Sequence, residues 1–493
     1  MRLLPAEGIA RLAGGRLVGP AGTVVGPLVS TDSRRVGRGA LFVALPGEHA
    51  DGHAFATSAV AGGAAALLVG HVVEGIDAPQ IVVDEPLAGL SRLAHGLVAD
   101  AAASGGLVTL ALTGSSGKTT TKDLLAQVLA TAGATVAPPG SLNNEVGVPL
   151  TACEIDDTTR YLVAEMGARG PGHIAWLCSI VPPRVAAVLN VGTAHLGEFG
   201  SRAAIAAAKG EIVEGLPEDG WAVLNADDPL VAGMSSRTRA SLAWFSAGSP
   251  AVPPEAADRA RLVVTAGGIR ADDRERYGFT LTVRRDGAVA CQPVRLGLIG
   301  RHMVDDALGA ATMALAAGLT PGQVAAGLSG ARERSPWRME PHDLPGGALL
   351  LNDAYNANPD SVRQALDTVA RMVASRRRAE PTARGIAVLG DMLELGEGSA
   401  VLHREAGALA GGHGLRVLAV GEFAADTVAG AHSAGGEAEA LRYDQVAERL
   451  RLGSGDVVLL KASRGLGLES AELDRRGCGL ERLVPVIEGG RAA

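Results

Sequence analysis

Residues 107–122 read LVTLALTGSSGKTTTK: an apolar strand, a turn of small residues, then Lys118 and three threonines opening a helix. A strand that feeds such a turn and a helix N-terminus is the phosphate cradle of parallel α/β proteins. Thr113, Gly114, Ser115, Ser116 and Gly117 are small enough for backbone N–H groups to close on a polyphosphate. Lys118 would neutralise the terminal phosphates, and the hydroxyl of Thr119 or Thr120 would reach a bound Mg2+. The match is to the short form T-G-x-x-G-K-T, because Leu112 stands where the longer motif begins with glycine.

Working outward, the basic residues are unevenly chosen. Of 45, only four are lysines (Lys118, Lys122, Lys209 and Lys461), leaving 41 arginines. Arginine is a permanently charged fork, whereas lysine is a point charge that can lose its proton. Each surviving lysine therefore asks for a chemical reason, and Lys122, on the helix face near the phosphates, is the one most readily put down to chance. The chain has 493 residues, 47% of them hydrophobic, which sets an expectation of several domains with large cores. A net charge of −8 and 14 aromatics leave no basic, ring-studded surface for nucleic acid. No secretory core or long uncharged apolar run is read, so a cytoplasmic protein without membrane insertion, and a monomer, is expected. Cys153, Cys178, Cys291 and Cys478 show no C-x-x-C spacing and read as reduced packing residues.

Three blocks emerge. Residues 1–85 alternate short apolar runs with turns, as a small α/β domain does; 86–103 has helical spacing and bridges onward. Residues 86–330 carry LVTLAL, YLVAEM and VAAVLNV between helical stretches, the pattern of a parallel sheet, with a hairpin expected over 277–298 around Arg285-Asp286-Gly287. Thr320-Pro321 and Ser335-Pro336 read as the exit from this block. Residues 331–493 repeat the alternation in ALLLND, GIAVLGDM, LRVLAVGE and DVVLLKAS, a Rossmann-like sheet without G-x-G-x-x-G. The fold class is α/β, in three domains with a central P-loop-type, mostly parallel sheet.

Parallel strands bring their carboxyl ends to one edge, where open α/β sheets bind ligands. The phosphate turn, Glu165 after YLVA, and the stretch from Asn190 to His195 all end there. A carboxylate and an imidazole beside a phosphate loop suit a divalent ion and phosphoryl transfer. Lys209, in AAIAAAKGEIVE, admits two readings: a solvated helix charge, or a neutral amine that takes up CO2 to become a metal-binding carbamate.

The pieces TGSSGKTT, SLNNEVGVPL, AEMGA, NVGTAHLGEFGS, AKGEI, NDAYNANPDS, VLGDMLELG and KASRGLGLE, in this order, resemble the Mur ligases, the ATP-dependent amide ligases of peptidoglycan precursor synthesis. The resemblance runs from about Ser30 to Leu468. It implies domains for a uridine nucleotide, ATP and the incoming amine in that order. LNNEVGVPL, YNANPDS and LGDMLELG are most similar to the members that join D-alanyl-D-alanine to UDP-MurNAc-tripeptide. Carried over, Lys118 and Thr119 match the ATP and Mg2+ residues, Glu165 and His195 the metal site, and Lys209 the carbamoylated lysine; Lys118, Lys209 and His195 are the implied catalytic set. Asn143 and Asn144 match a loop on the sugar-nucleotide, and Thr31, Ser33, Arg34, Glu48 and His49 the uridine pocket. Asp353 matches a residue on the ATP ribose, and Lys461, Ser463 and Arg464 a loop facing the new amide. The family's G-x-H-N-V-x-N, which approaches adenine, stands here as GRHMVDD. His302 is kept, but Met303 and Asp306 replace the asparagines, and an ionised Asp306 could accept but not donate a hydrogen bond.

Overall fold

The computed structural model describes residues 1–47, 50–193, 196–248, 258–463 and 483–488. Besides a two-stranded ribbon of Leu4–Pro5 with Val24–Val25, three larger sheets follow one another along the described residues. In the first, strands Arg16–Val18, Gln80–Val82, Ala66–Val69, Leu41–Val43 and Val29–Ser30 lie in that order, parallel except for the first. Helix Pro86–Ala103 then packs on helix Ala6–Ala13 and on helix Gly147–Ala152, joining the first sheet to the second.

The second sheet has nine strands. Seven run parallel, in the order Thr135–Val136, Tyr161–Glu165, Val108–Thr113, Val185–Val188, Trp221–Asn225, Ser241–Ser246 and Ala260–Ala271. Strands Arg276–Arg285 and Ala288–Ile299 complete it as the antiparallel hairpin expected from sequence, turning at Asp286 and Gly287 with φ of 48° and 84°. Two consecutive positive φ values are what the right-handed twist of paired strands requires of a two-residue turn.

The strand Val108–Thr113 shows why the sequence reads as an unbroken apolar run. Leu110 and Leu112 enter one core, which includes helix Met303–Ala316 and extends to Leu349 and Leu351 of the third sheet and to Val369 of helix Pro359–Arg376. Ala111, between them, enters the other core, shared with Leu41 and Leu68 of the first sheet and with Ile9 and Leu90 of the helices Ala6–Ala13 and Pro86–Ala103. With both faces covered, the middle of the strand is apolar throughout, and the buried Thr109 spends its hydroxyl on Pro182 O at 2.6 Å.

The third sheet runs Glu340–Asp343, Leu349–Asp353, Val457–Lys461, Gly385–Leu389, Arg416–Ala419 and Ala438–Ala440, parallel after its first strand. All four apolar runs singled out in this part of the sequence are strands of it.

Two expectations change. Thr320-Pro321 is a helix start rather than an exit: the Thr320 side chain and Gln323 form a reciprocal cap on helix Pro321–Gly330, which packs on the second sheet's last strand. Cys291 is exposed, unlike the buried thiols of Cys153 and Cys178, while Cys478 lies outside the described residues. No described helix is long and apolar enough to cross a membrane.

Candidate active site

Strand register sets the site. Glu165 pairs with Leu112 and Val188 with Thr113, so Glu165, the phosphate turn and Asn190 end at one level. In the third sheet Asp353 and Leu389 both pair with Lys461, and these ends face the same space. Between the two edges is a cavity of about 880 Å3 whose walls include Lys118, Asn143, Glu165, Lys209, Asp353 and Lys461.

The phosphate turn ends at Gly117, with φ of 76°, and helix Lys118–Ala130 follows. A Cβ at Gly117 would meet Asp306 Oδ1 at 2.1 Å, so both conformation and space exclude a side chain. The first intrahelical bond runs from Thr121 N to Gly117 O at 2.9 Å, which leaves the preceding N–H groups without helical partners. The expectation that the whole turn offers its N–H groups to phosphate needs correction. Ser115 N and Ser116 N both donate to Asn190 Oδ1 at 2.9 Å, and Asn190 Nδ2 donates to Ser116 O at 3.1 Å. Thr113 is fully buried under the turn and is absent from the cavity wall.

Lys118 Nζ and Lys209 Nζ donate to one carbonyl, Gly114 O, at 2.9 and 3.0 Å. Burial pulls Lys118 below the usual lysine range, against the opposing charge of Glu165. Lys209, 4% exposed, is pulled well below it by burial and then by Lys118. The solvated-charge reading of Lys209 is therefore overturned: the side chain is buried, and both effects favour the neutral amine.

Glu165 is fully buried. Its Oε1 accepts from Ser141 Oγ at 2.9 Å and Asn143 Nδ2 at 2.8 Å, while Oε2 is buried without a partner among the described residues. An unmet buried acceptor costs about 1–3 kcal/mol, so this oxygen is suited to an incoming ligand. The carboxylate oxygen of Glu165 and the hydroxyl of Thr119, both on the cavity wall, are oxygen donors that suit a hard divalent cation, and the Lys209 amine would join them only as a carbamate. Thr119 Oγ1 meanwhile accepts from Arg338 Nη2 at 2.8 Å, and the Arg338 guanidinium stacks 4.1 Å from the Tyr355 ring centre. Asn144, also on the cavity wall, uses its Oδ1 to accept from Gly147 N at 2.8 Å.

On the opposite wall Lys461 Nζ is 2.7 Å from Asp353 Oδ2 and donates to Asn356 O at 2.7 Å, while Ser463 Oγ donates to Ala357 O at 2.9 Å. Residues assigned separately to ribose and amide are thus one ion pair, with Lys461 buried and Asp353 half-buried. A further cross-link joins the walls: Asp360 Oδ2 accepts from Thr193 N at 3.0 Å and Thr193 Oγ1 at 3.2 Å.

His302, Met303 and Asp306 all reach the cavity. Burial, then Asp305, pushes Asp306 well above the carboxylate range, the direction that keeps a proton on it and restores the donor that an ionised form would lack. Burial likewise lowers His302 from 6.5 to about 4, with Asp353 opposing. Between those values the unfolded chain takes a proton that the folded one refuses, so stability falls as pH drops from about 6.5 toward 4, by an upper bound of about 3 kcal/mol. Urea midpoints measured from about pH 7 to 4.5 should decline less steeply in His302→Gln than in the parent; equal slopes would remove His302 from the acid response.

Thr31, Ser33 and Arg34 follow strand Val29–Ser30 and do not line this cavity; the Arg34 guanidinium is held by Asp32 at 2.9 and 3.0 Å. Glu48, His49, His195 and Arg464 lie outside the described residues. Sequence reasoning missed Arg338, Asp360 and Ser141, and passed over the Asn190 side chain; only the adjacency of Asn190 to the strand end pointed to it.

Comparison with known proteins spans these parts. Family models match at residues 28–96 (Mur ligase family, catalytic domain), 112–314 (Mur ligase middle domain) and 337–464 (Mur ligase, glutamate ligase domain). The UDP-N-acetylmuramoyl-tripeptide--D-alanyl-D-alanine ligase of Mycobacterium tuberculosis is 41% identical over 478 residues, covering 89% of this chain and 90% of that protein. Among solved structures, MurF from Acinetobacter baumannii superposes with a TM-score of 0.80 at 29% identity, over 98% of this chain and 99% of that one. MurF from Thermotoga maritima in complex with ADP gives 0.72 at 26% identity, over 94% and 97%. Identity sustained across nearly the whole of both proteins reflects shared descent rather than one shared loop, and the chain belongs to the Mur ligase family.

Proposed function

We propose that this ATP-dependent amide ligase joins D-alanyl-D-alanine to UDP-MurNAc-tripeptide through an acyl phosphate. The observation that carries the proposal is the single cavity that holds the phosphate loop, Glu165 and Lys209 on one wall and Asp353, Lys461 and Ser463 on the other. The tripeptide carboxylate attacks the γ-phosphorus and ADP leaves; the dipeptide amine then attacks the acyl carbon and phosphate leaves. Lys118 neutralises the transferring phosphoryl group, and the two walls align carboxylate, phosphate and amine while keeping water from the intermediate. Glu165, Thr119 once released by Arg338, and a carbamate on Lys209 would hold Mg2+, which would supply charge neutralisation at the phosphate oxygens. Asn143 and Asn144 face the sugar-nucleotide, and residues 1–85 its uridine, with 86–330 serving ATP and 331–493 the amine. A cytoplasmic monomer is the proposed working form: ATP and a UDP-linked precursor are cytoplasmic substrates, and a site complete within one chain needs no second copy.

The test is phosphate release with UDP-MurNAc-tripeptide, ATP and Mg2+ against a panel of amines. D-alanyl-D-alanine should stimulate release, and diaminopimelate, lysine and glutamate should not. Stimulation by one of those amino acids instead would assign the chain to another Mur-type reaction. Tight ATP binding with no acceptor-dependent ADP would make it a scaffold.

A further inference from the structure

Lys122, the lysine most easily attributed to chance, is fully buried one turn beyond Lys118. Its Nζ donates to Pro138 O at 2.6 Å and Gly140 O at 2.8 Å and lies 2.7 Å from Asp123 Oδ1. An ammonium has three hydrogens to donate, and here there are three acceptors. A planar guanidinium, larger and fixed in its fork, cannot point three donors at this set, which explains a lysine in a chain that otherwise writes arginine.

The next residue of the clamped loop is Ser141. Ser141 Oγ and Asn143 Nδ2 both donate to Glu165 Oε1, and Asn143 Nδ2 also donates to Ser141 Oγ at 2.9 Å. Two donors on Oε1 fix the carboxylate and leave Oε2 without a partner among the described residues. The other oxygen of Asp123 accepts from Ser335 Oγ at 2.6 Å, three residues before Arg338. One turn of helix thus anchors both the loop behind Glu165 and the segment that brings Arg338 to Thr119.

We infer that Lys122 is a positioning residue: by clamping residues 138–140 it orients Ser141 and Asn143, and through them sets the Glu165 carboxylate toward the magnesium nucleotide. The inference rests on the reading of Glu165 given above.

Calorimetric titration of ADP binding at stepped Mg2+ concentrations tests it without turnover. Lys122→Met should raise the Mg2+ needed for half-maximal ADP affinity by about tenfold, the scale on which groups that orient metal ligands act, with wild-type affinity regained at high Mg2+. Lys122→Arg should not rescue it. Ser141→Ala, which buries no charge, should shift the requirement in the same direction by about threefold and decides the matter should Lys122→Met fail to fold. In the Lys122→Met/Glu165→Gln double variant the shift should not exceed that of Glu165→Gln alone. Additive shifts, or an unchanged Mg2+ requirement in both Lys122→Met and Ser141→Ala while Glu165→Gln moves it, would overturn the role of Lys122. No shift in Glu165→Gln itself would instead overturn the reading of Glu165.

Discussion

Lys118→Ala should lower ATP-dependent ligation by about two to three orders of magnitude, or roughly 3–4 kcal/mol of transition-state stabilisation. Lys118 opens the helix after the phosphate turn, and its Nζ rests on Gly114 O, so no other described contact of the fold hangs on that ammonium. Phosphate would replace that carbonyl as its partner. Stability should move little or even rise, because the substitution removes one of two buried amines crowded on the same oxygen. Rates of phosphate release and thermal melts on one preparation give the check: activity lost with the melt retained is the expected split. Ligation retained at near parental rate would remove Lys118 from the phosphoryl-transfer machinery.

Lys209→Ala comes next in size, with an expected loss of about two orders of magnitude or more. Buried and beside Lys118, the amine is biased toward its neutral form, the form that captures CO2. A carbamate there would turn repulsion with Lys118 into attraction and add an oxygen ligand beside Glu165. The sign with pH follows: as pH falls the amine takes a proton, CO2 leaves, and activity falls with it. Acetate or another short carboxylate should partly restore Lys209→Ala and do nothing for Lys118→Ala. Initial rates with and without added carboxylate, and in CO2-depleted buffer for the parent, separate this from a purely structural lysine.

What the chain disclosed in advance was local. LVTLAL, YLVA and DVVLLK announce strands because both faces of each are covered, and Asp286-Gly287 announces a turn because few other pairs adopt two positive φ values in succession. Lys118 and Lys209 stood out because arginine would have served any generic surface role. The unreadable parts depend on partners far along the chain. Asn190 holds the phosphate turn from 74 and 75 residues away, and Asp360 reaches Thr193 across 167. Arg338 carried no compositional signal, being one arginine among 41. Lys122 was misjudged for a related reason: two of its partners are backbone carbonyls, and carbonyls have no letter in a sequence.

The bonds between the walls set an order of events. Arg338 occupies the Thr119 hydroxyl that the nucleotide's cation would use, and Asp360 ties Thr193 to the opposite side. Breaking these bonds is the expected first step of nucleotide capture. The observed association rate should then level off as ATP is raised, at the rate of that opening, instead of climbing with every collision.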